Sequence, residues 1–308
     1  MLVGASVALT LAAIEYSHLT ERLRRMPFLS ALFLRTLIQI VVVAVCCVVF
    51  ALLVRMVGDG LSLSDAYHHP NTQHFLFGGD LVFITLYAIT AAFLINMIRQ
   101  MSRMLGQNVL VNMILGKYNR PVEEDRIFMF LDLDASTTLA ERLGNIRFHD
   151  LIDDYIYDIT PAISDSGGEI YQYVGDEVVV TWKLGPRNER DKCLQCFFAI
   201  SHTIERLAGQ YTKTYGFVPG FKAGMHYGSV IAGEIGDIKK EIVFQGDVVN
   251  TASRIKEKCH SLGAKILVSR ELLDVLPKEN IKYKADRVGS FLLKGKEHEV
   301  ELYSVAEA

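Results

Sequence analysis

The chain has 308 residues, with 32 Lys and Arg against 35 Asp and Glu and a formal net charge of −3. With no basic stripe and no low-complexity tract, that balance excludes a nucleic-acid binder and a disordered chain. Half of the residues are hydrophobic (50%), and the five cysteines include Cys46 and Cys47 inside an apolar run, so no disulfide framework is expected.

In chain order, Met1 to Ile14 is apolar but too short for a full span, and it lacks the basic n-region of a signal peptide. We read it as a short or N-terminally truncated first span. Thr36 to Val54 is almost uninterrupted apolar sequence between Arg35 and Arg55, long enough to cross a bilayer. Leu81 to Met97 is a further, slightly short candidate ended by Arg99 and Arg103. Residues 1–98 thus form a transmembrane helical region, with spans near 1–15, 36–54 and 81–97. Arg22, Arg24 and Arg25 lie between the first two apolar runs, whereas Gly58 to Asp80 holds no Lys or Arg. The positive-inside rule places that segment outside and both Arg clusters inside. The expected protein is multi-pass in the cell membrane, with everything after Arg99 cytoplasmic. His68, His69 and His74 in the outer segment are read as incidental residues of a solvated loop rather than as a sensor.

Residues 99–125 form a juxtamembrane linker. Met101, Met104, Leu105, Val109, Val111, Met113, Ile114 and Leu115 give a helical pattern broken at Gly106 and Gly116 and ended near Pro121. A transmitting helix pair and a passive tether remain equal readings. From 126 to 308, apolar alternation predicts strands near 127–133, 169–173, 177–183, 221–228, 230–234, 241–245, 265–268, 281–288 and 300–304. Helices are predicted near 138–165, 189–213 and 247–260, so the class is α+β. Cys193 and Cys196 lie at helical spacing with Phe197, Ile200 and Ile204, which reads as core rather than as a zinc site.

Two carboxylates carry the chemistry. Asp132 ends the run Ile127 to Leu131, and Asp176 follows Ile170 to Gly175. Carboxylates on neighbouring strands can hold two divalent ions about 4 Å apart for attack at phosphorus. With Phe130-Leu-Asp132-Leu-Asp-Ala-Ser136-Thr137, Gly175-Asp176, Gly246-Asp-Val-Val-Asn250-Thr-Ala-Ser-Arg254 and Leu293-Lys294-Gly295 in this order, the chain resembles the class III nucleotidyl cyclases over about residues 125–305.

The resemblance implies a ferredoxin-like βαββαβ catalytic domain over 126–308, acting as a homodimer with two active sites at the interface. It also implies two Mg2+ or Mn2+ per site, held by Asp132, Asp176 and the Leu133 carbonyl. The corner Ala135-Ser136-Thr137 would bind phosphate at a helix start. Thr138 and Glu141 have capping-box spacing there, with Ser136 or Thr137 as alternative caps. Asn250 and Arg254, four apart on one helix face, would orient the ribose and stabilise charge on the α-phosphate, and Lys294 would contact the terminal phosphates. Lys296, two residues on, is read as solvated. Gln172 and Val243 occupy the base-reading positions, where the family's adenylate cyclases carry Lys with Asp or Thr and its guanylate cyclases Glu with Cys or Ser. A Gln amide can serve either purine. ATP is favoured because the guanine-reading glutamate is absent. GTP or dual specificity, and a non-catalytic nucleotide-sensing or dimerisation module, stay open as alternatives.

Overall fold

The computed structural model describes residues 26–106, 108–277 and 283–307. The expected first span and the Arg22–Arg25 cluster lie outside the described residues. The chain divides into two compact units, one ending at Leu105 and the other beginning at Gly106.

In the first unit, helices α1 (Phe28–Gly58) and α4 (Asp80–Leu105) are long and apolar enough to cross a membrane. Leu37, Val41, Val45 and Val49 on α1 and Val82 and Phe83 on α4 stand exposed, so both helices carry large apolar side chains outside the unit's core. The Asn96 side-chain amide donates to Thr36 Oγ1 at 3.2 Å and to Gln39 Oε1 at 2.9 Å. Such hydrogen bonds join helices where the apolar environment gives no hydrophobic drive to associate. Helix α4 contains the apolar run Leu81–Met97 and continues through Arg99 and Arg103 to Leu105, ending where the break at Gly106 was expected. One expectation is corrected: the segment between α1 and α4, expected as a plain loop, holds α2 (Leu63–His68) and α3 (Pro70–Phe77). Ser62 accepts from Asp65 N to cap α2, and Pro70 opens α3 at the first helical position, where a missing N–H costs nothing.

The second unit opens with α5 (Val109–Ile114) and continues with β1 (Val122–Leu133), α6 (Ser136–Leu143), α7 (Asn145–Asp165), β2 (Glu169–Val174) and β3 (Glu177–Lys183). Then come α8 (Lys192–Arg206), α9 (Ala208–Tyr215), β4 (Phe221–Ile235), β5 (Glu241–Gln245) and α10 (Asp247–Leu262). It closes with β6 (Ile266–Ser269), α11 (Arg270–Val275), β7 (Tyr283–Phe291) and β8 (Val300–Glu307). The eight-stranded sheet runs β2-β3-β1-β4-β6-β8-β7, with β5 paired to β4. The first four strands and their helices form the expected βαββαβ unit.

Strand parity positions the site. On β1, Ile127, Met129, Leu131 and Leu133 enter the main core beneath α7, α8 and α9. Phe128 and Phe130 enter a second core beneath α10, with Val248 and Ala252. Asp132 shares the parity of Phe128 and Phe130 and so faces the α10 side. β4 brings Gly224 to that same side. A Cβ built there would lie 2.2 Å from Lys256 N and 2.7 Å from the Ala252 carbonyl oxygen, so α10 lies backbone to backbone on the strand. Cys193 and Cys196 are buried in the main core.

The structure corrects several boundaries. The expected helix 138–165 is two helices broken at Gly144, whose φ of +74° suits glycine. The expected helix 189–213 starts at Lys192 and breaks at Leu207. The two expected strands 221–228 and 230–234 are one continuous β4, paired to β1 from Phe221 to Ala232, Ser229 included. The helix α11 was not foreseen; the Ser269 side chain caps it by accepting from Leu272 N at 3.3 Å.

Candidate active site

Asp132 is the residue before the last of β1 and lies opposite Lys222 of β4 in register. Its Oδ2 is 3.3 Å from both Lys222 Nζ and Lys256 Nζ, and Lys256 Nζ is 2.8 Å from Glu177 Oε2. Asp176 sits with Gly175 in the two-residue turn joining β2 to β3. Gly175 takes φ +67°, as such hairpin turns require. Asp176 Oδ2 is buried without a hydrogen-bond partner. Burial raises the pKa of Glu177; Lys256 opposes that, and the charges of Asp132 and Asp176 add to it. Both aspartates are thus felt at one carboxylate. Burial likewise pushes the Tyr155 hydroxyl well above the usual range, with Asp132 and Asp134 contributing.

The corner after β1 departs from the expected cap. None of Ser136, Thr137 and Thr138 caps the helix. The N-cap is Ala135, left-handed at φ +54°, and it has no side chain that could accept a bond. The first i→i−4 bond is Leu139 N to the Ala135 carbonyl, so the preceding N–H groups are the unsatisfied donors of a helix start. Left-handed backbone at a non-glycine residue costs about 1–2 kcal/mol.

A second set gathers on α10. Arg254 is half-buried, and its Nη1 is buried without a partner. The turn after β7 passes beside it: a Cβ on Gly295, at φ +73°, would lie 3.3 Å from Arg254 Nη2. Lys294 on that turn is exposed, as is Asn250. Lys296 corrects its reading as solvated: it is half-buried and paired with Asp247, the first residue of α10. Among the described residues, no hydrogen bond or ion pair joins the Asp132–Asp176 set to the Asn250–Arg254–Lys294 set.

Gln172 is exposed on β2, just after a bulge that displaces Tyr171 from the ladder. Val243 is half-buried on β5. The neighbours of these two residues meet, with the Tyr171 and Phe244 rings 5.0 Å apart. Glu177, Lys222 and Lys256 are the charged groups that the sequence reading missed. For Lys256 a signal existed, because it falls within the apolar stripe Val248, Ala252, Ile255 and Cys259 of α10.

Among the described residues, no cluster of three His, Cys, Asp or Glu side chains forms a closed metal cage. The expected ligands, two carboxylates and a main-chain carbonyl, are hard oxygen donors. Mg2+ is commonly held in such sets, with waters and phosphate oxygens completing the shell. The unpartnered Asp176 Oδ2 fits that use.

These features meet in a known class. The model of the adenylate and guanylate cyclase catalytic domain matches residues 121–307, and the chain belongs to that family. Adenylate cyclase 2 of Rhizobium meliloti (strain 1021) is 33% identical over 222 residues, 72% of this chain; the chain spans 61% of that protein's length. The fold is similar to the adenylyl cyclase CyaB from P. aeruginosa (TM-score 0.56, 21% identity, 61% of this chain and 97% of that one). It is also similar to a bacterial light-regulated adenylyl cyclase (TM-score 0.59, 21% identity, 75% of this chain and 66% of that one).

Proposed function

We propose that the protein is a membrane-anchored cyclase converting ATP to 3′,5′-cyclic AMP and pyrophosphate, at sites shared between two copies of the chain. The observation that carries the reading is a pair of buried, unpartnered charged atoms of opposite sign, Asp176 Oδ2 and Arg254 Nη1. Among the described residues, no hydrogen bond or ion pair joins Asp132 or Asp176 to Asn250, Arg254 or Lys294. An unpaired buried charged atom costs a few kcal/mol, and a metal-bound triphosphate offers each its complement.

In this reading, Asp132, Asp176 and the Leu133 carbonyl hold Mg2+ or Mn2+, two per site. When bound, such ions lower the pKa of the ribose 3′-hydroxyl and offset the triphosphate charge. The N–H groups at Ala135, Ser136 and Thr137 receive β- and γ-phosphate oxygens. From the second copy, Asn250 orients the ribose. Arg254 matches the α-phosphate with its planar fork as the 3′-oxygen attacks and pyrophosphate leaves, and Lys294 contacts the terminal phosphates. Gln172 and Val243 meet the purine. Gln172 is exposed and its amide can face either way, so it reads adenine and tolerates guanine. The absence of a glutamate at Gln172, and the adenylate cyclase of R. meliloti at 33% identity, favour ATP. Helices α1 and α4 cross the bilayer, with residues 59–79 outside and Arg99, Arg103 and the second unit in the cytoplasm.

The test is complementation. Asp132→Ala and Arg254→Ala chains should each be nearly inactive alone. Co-expressed, they form heterodimers with one intact site, and cyclic AMP production from ATP should return and exceed cyclic GMP production from GTP. No recovery despite heterodimers demonstrated by pull-down would sink the shared site.

A further inference from the structure

Lys256 is placed where a divalent ion would be expected to act. Its side chain is 15% exposed, and its ammonium lies 3.3 Å from Asp132 Oδ2 and 2.8 Å from Glu177 Oε2. Lys222 reaches the same Asp132 oxygen at 3.3 Å and Asp134 Oδ1 at 3.7 Å. One carboxylate oxygen therefore already carries two ammonium groups. A dication on Asp132 must share that carboxylate with both ammonium groups, and at that distance it repels both. Glu177 offers Lys256 somewhere to stay, because its contact is the shorter of the two. Lys256 in turn covers Glu177, which would otherwise be a third carboxylate beside Asp132 and Asp176. Helix α10 cannot simply withdraw the lysine, because its backbone rests on Gly224.

We propose that Lys256 is a resident cation that competes with divalent metal for Asp132 and keeps Glu177 out of the metal's coordination shell, thereby setting how much metal the site requires. The inference rests on Asp132 being a metal ligand. Both parts of it act in one direction. Removing the ammonium leaves Asp132 with Lys222 alone and uncovers Glu177, and each change strengthens metal binding. Removing Glu177 acts the other way, because Lys256 is then left with Asp132 as its carboxylate partner.

The test is Mn2+ binding by the full-length protein in detergent without nucleotide, read by the loss of the free Mn2+ electron paramagnetic resonance signal. Lys256→Gln should bind Mn2+ about tenfold tighter than wild type, the effect of removing one like charge beside the ion. Lys256→Arg, which keeps the charge, should bind as wild type does. Glu177→Gln should bind more weakly, and this arm stands even if Lys256→Gln fails to fold. Asp132→Asn should lose the binding. Loss in Asp132→Asn with unchanged or weaker binding in a folded Lys256→Gln would overturn the inference alone. Retention in Asp132→Asn would overturn the ligand assignment and the inference with it.

Discussion

At the start of β1, Glu124 and Arg126 are buried and fully partnered; at its end, Asp132 is shared between two lysines while nearby Asp176 leaves an oxygen unpaired. Arg126 Nε donates to Glu124 Oε2 at 2.9 Å, its Nη1 to Glu169 Oε2 at 2.8 Å and its Nη2 to Tyr118 Oη at 3.3 Å. Lys183 completes Glu124 at 2.8 Å, and Phe244 lies under the guanidinium at 4.3 Å. Desolvation works to raise the Glu124 pKa, but hydrogen bonds from Lys183 and Arg126 outweigh it and hold it low. Among the described residues, four buried side-chain atoms have no partner, and the two charged ones, on Asp176 and Arg254, both belong to the candidate site. A closed network holds the sheet in one arrangement, whereas charge left open is a place for something else to bind.

That contrast can be broken by exchanging the effects. Asp176→Ala should lower turnover at least about a thousandfold while leaving the melting midpoint unchanged or raised, since an unpaired buried oxygen is removed. Both activity and melting are measured on the purified variant; an active protein, or one that unfolds, would contradict an open, functional charge. Arg126→Met should do the opposite. Stripping the guanidinium from Glu124 and Glu169 should cost about 3–5 kcal/mol of stability, seen as a large drop in melting midpoint. A variant that melts like wild type would show that the network does not hold the strand.

A smaller effect sits between the two ends. His226 on β4 lies opposite Phe128 in register and is buried, with Nδ1 2.7 Å from Ser269 Oγ. Burial pushes its pKa down to about 4, with Glu271 opposing and Lys296 assisting. The unfolded chain takes up this proton near pH 6.5 and the folded chain only near 4. Stability from the neutral imidazole is therefore complete above about 6.5 and falls as pH drops through that window, by on the order of 3 kcal/mol. Melting midpoints between pH 7 and 4.5 should fall less for His226→Gln than for wild type. Equal slopes would remove His226 as a cause.

Much of this was legible in the sequence. The buried strands show as apolar runs, with Asp132 close to the end of one and Asp176 in the turn between two others. What was not legible depends on contacts distant in sequence. Lys222 meets Asp132 only through the β1–β4 register, and Lys256 only because α10 lies across that register. The helix break at Gly144 had its signal in the glycine itself. The continuity of β4 through Ser229 had none, because its pairing with β1 decides it. Lys296 looked solvated until the turn after β7 brought it to the start of α10.

The close seat of α10 on Gly224 has a consequence for which mutations this protein can tolerate. At most positions function is lost by removing a group. At 224 it would be lost by adding one, and a single methyl suffices, because its carbon would stand 2.2 Å from the Lys256 backbone nitrogen. The helix would lift, carrying Lys256 away from Asp132 and shifting Arg254 with it. A harmful substitution here would touch no charged residue, so a scan confined to the ionisable groups of the site would pass it over.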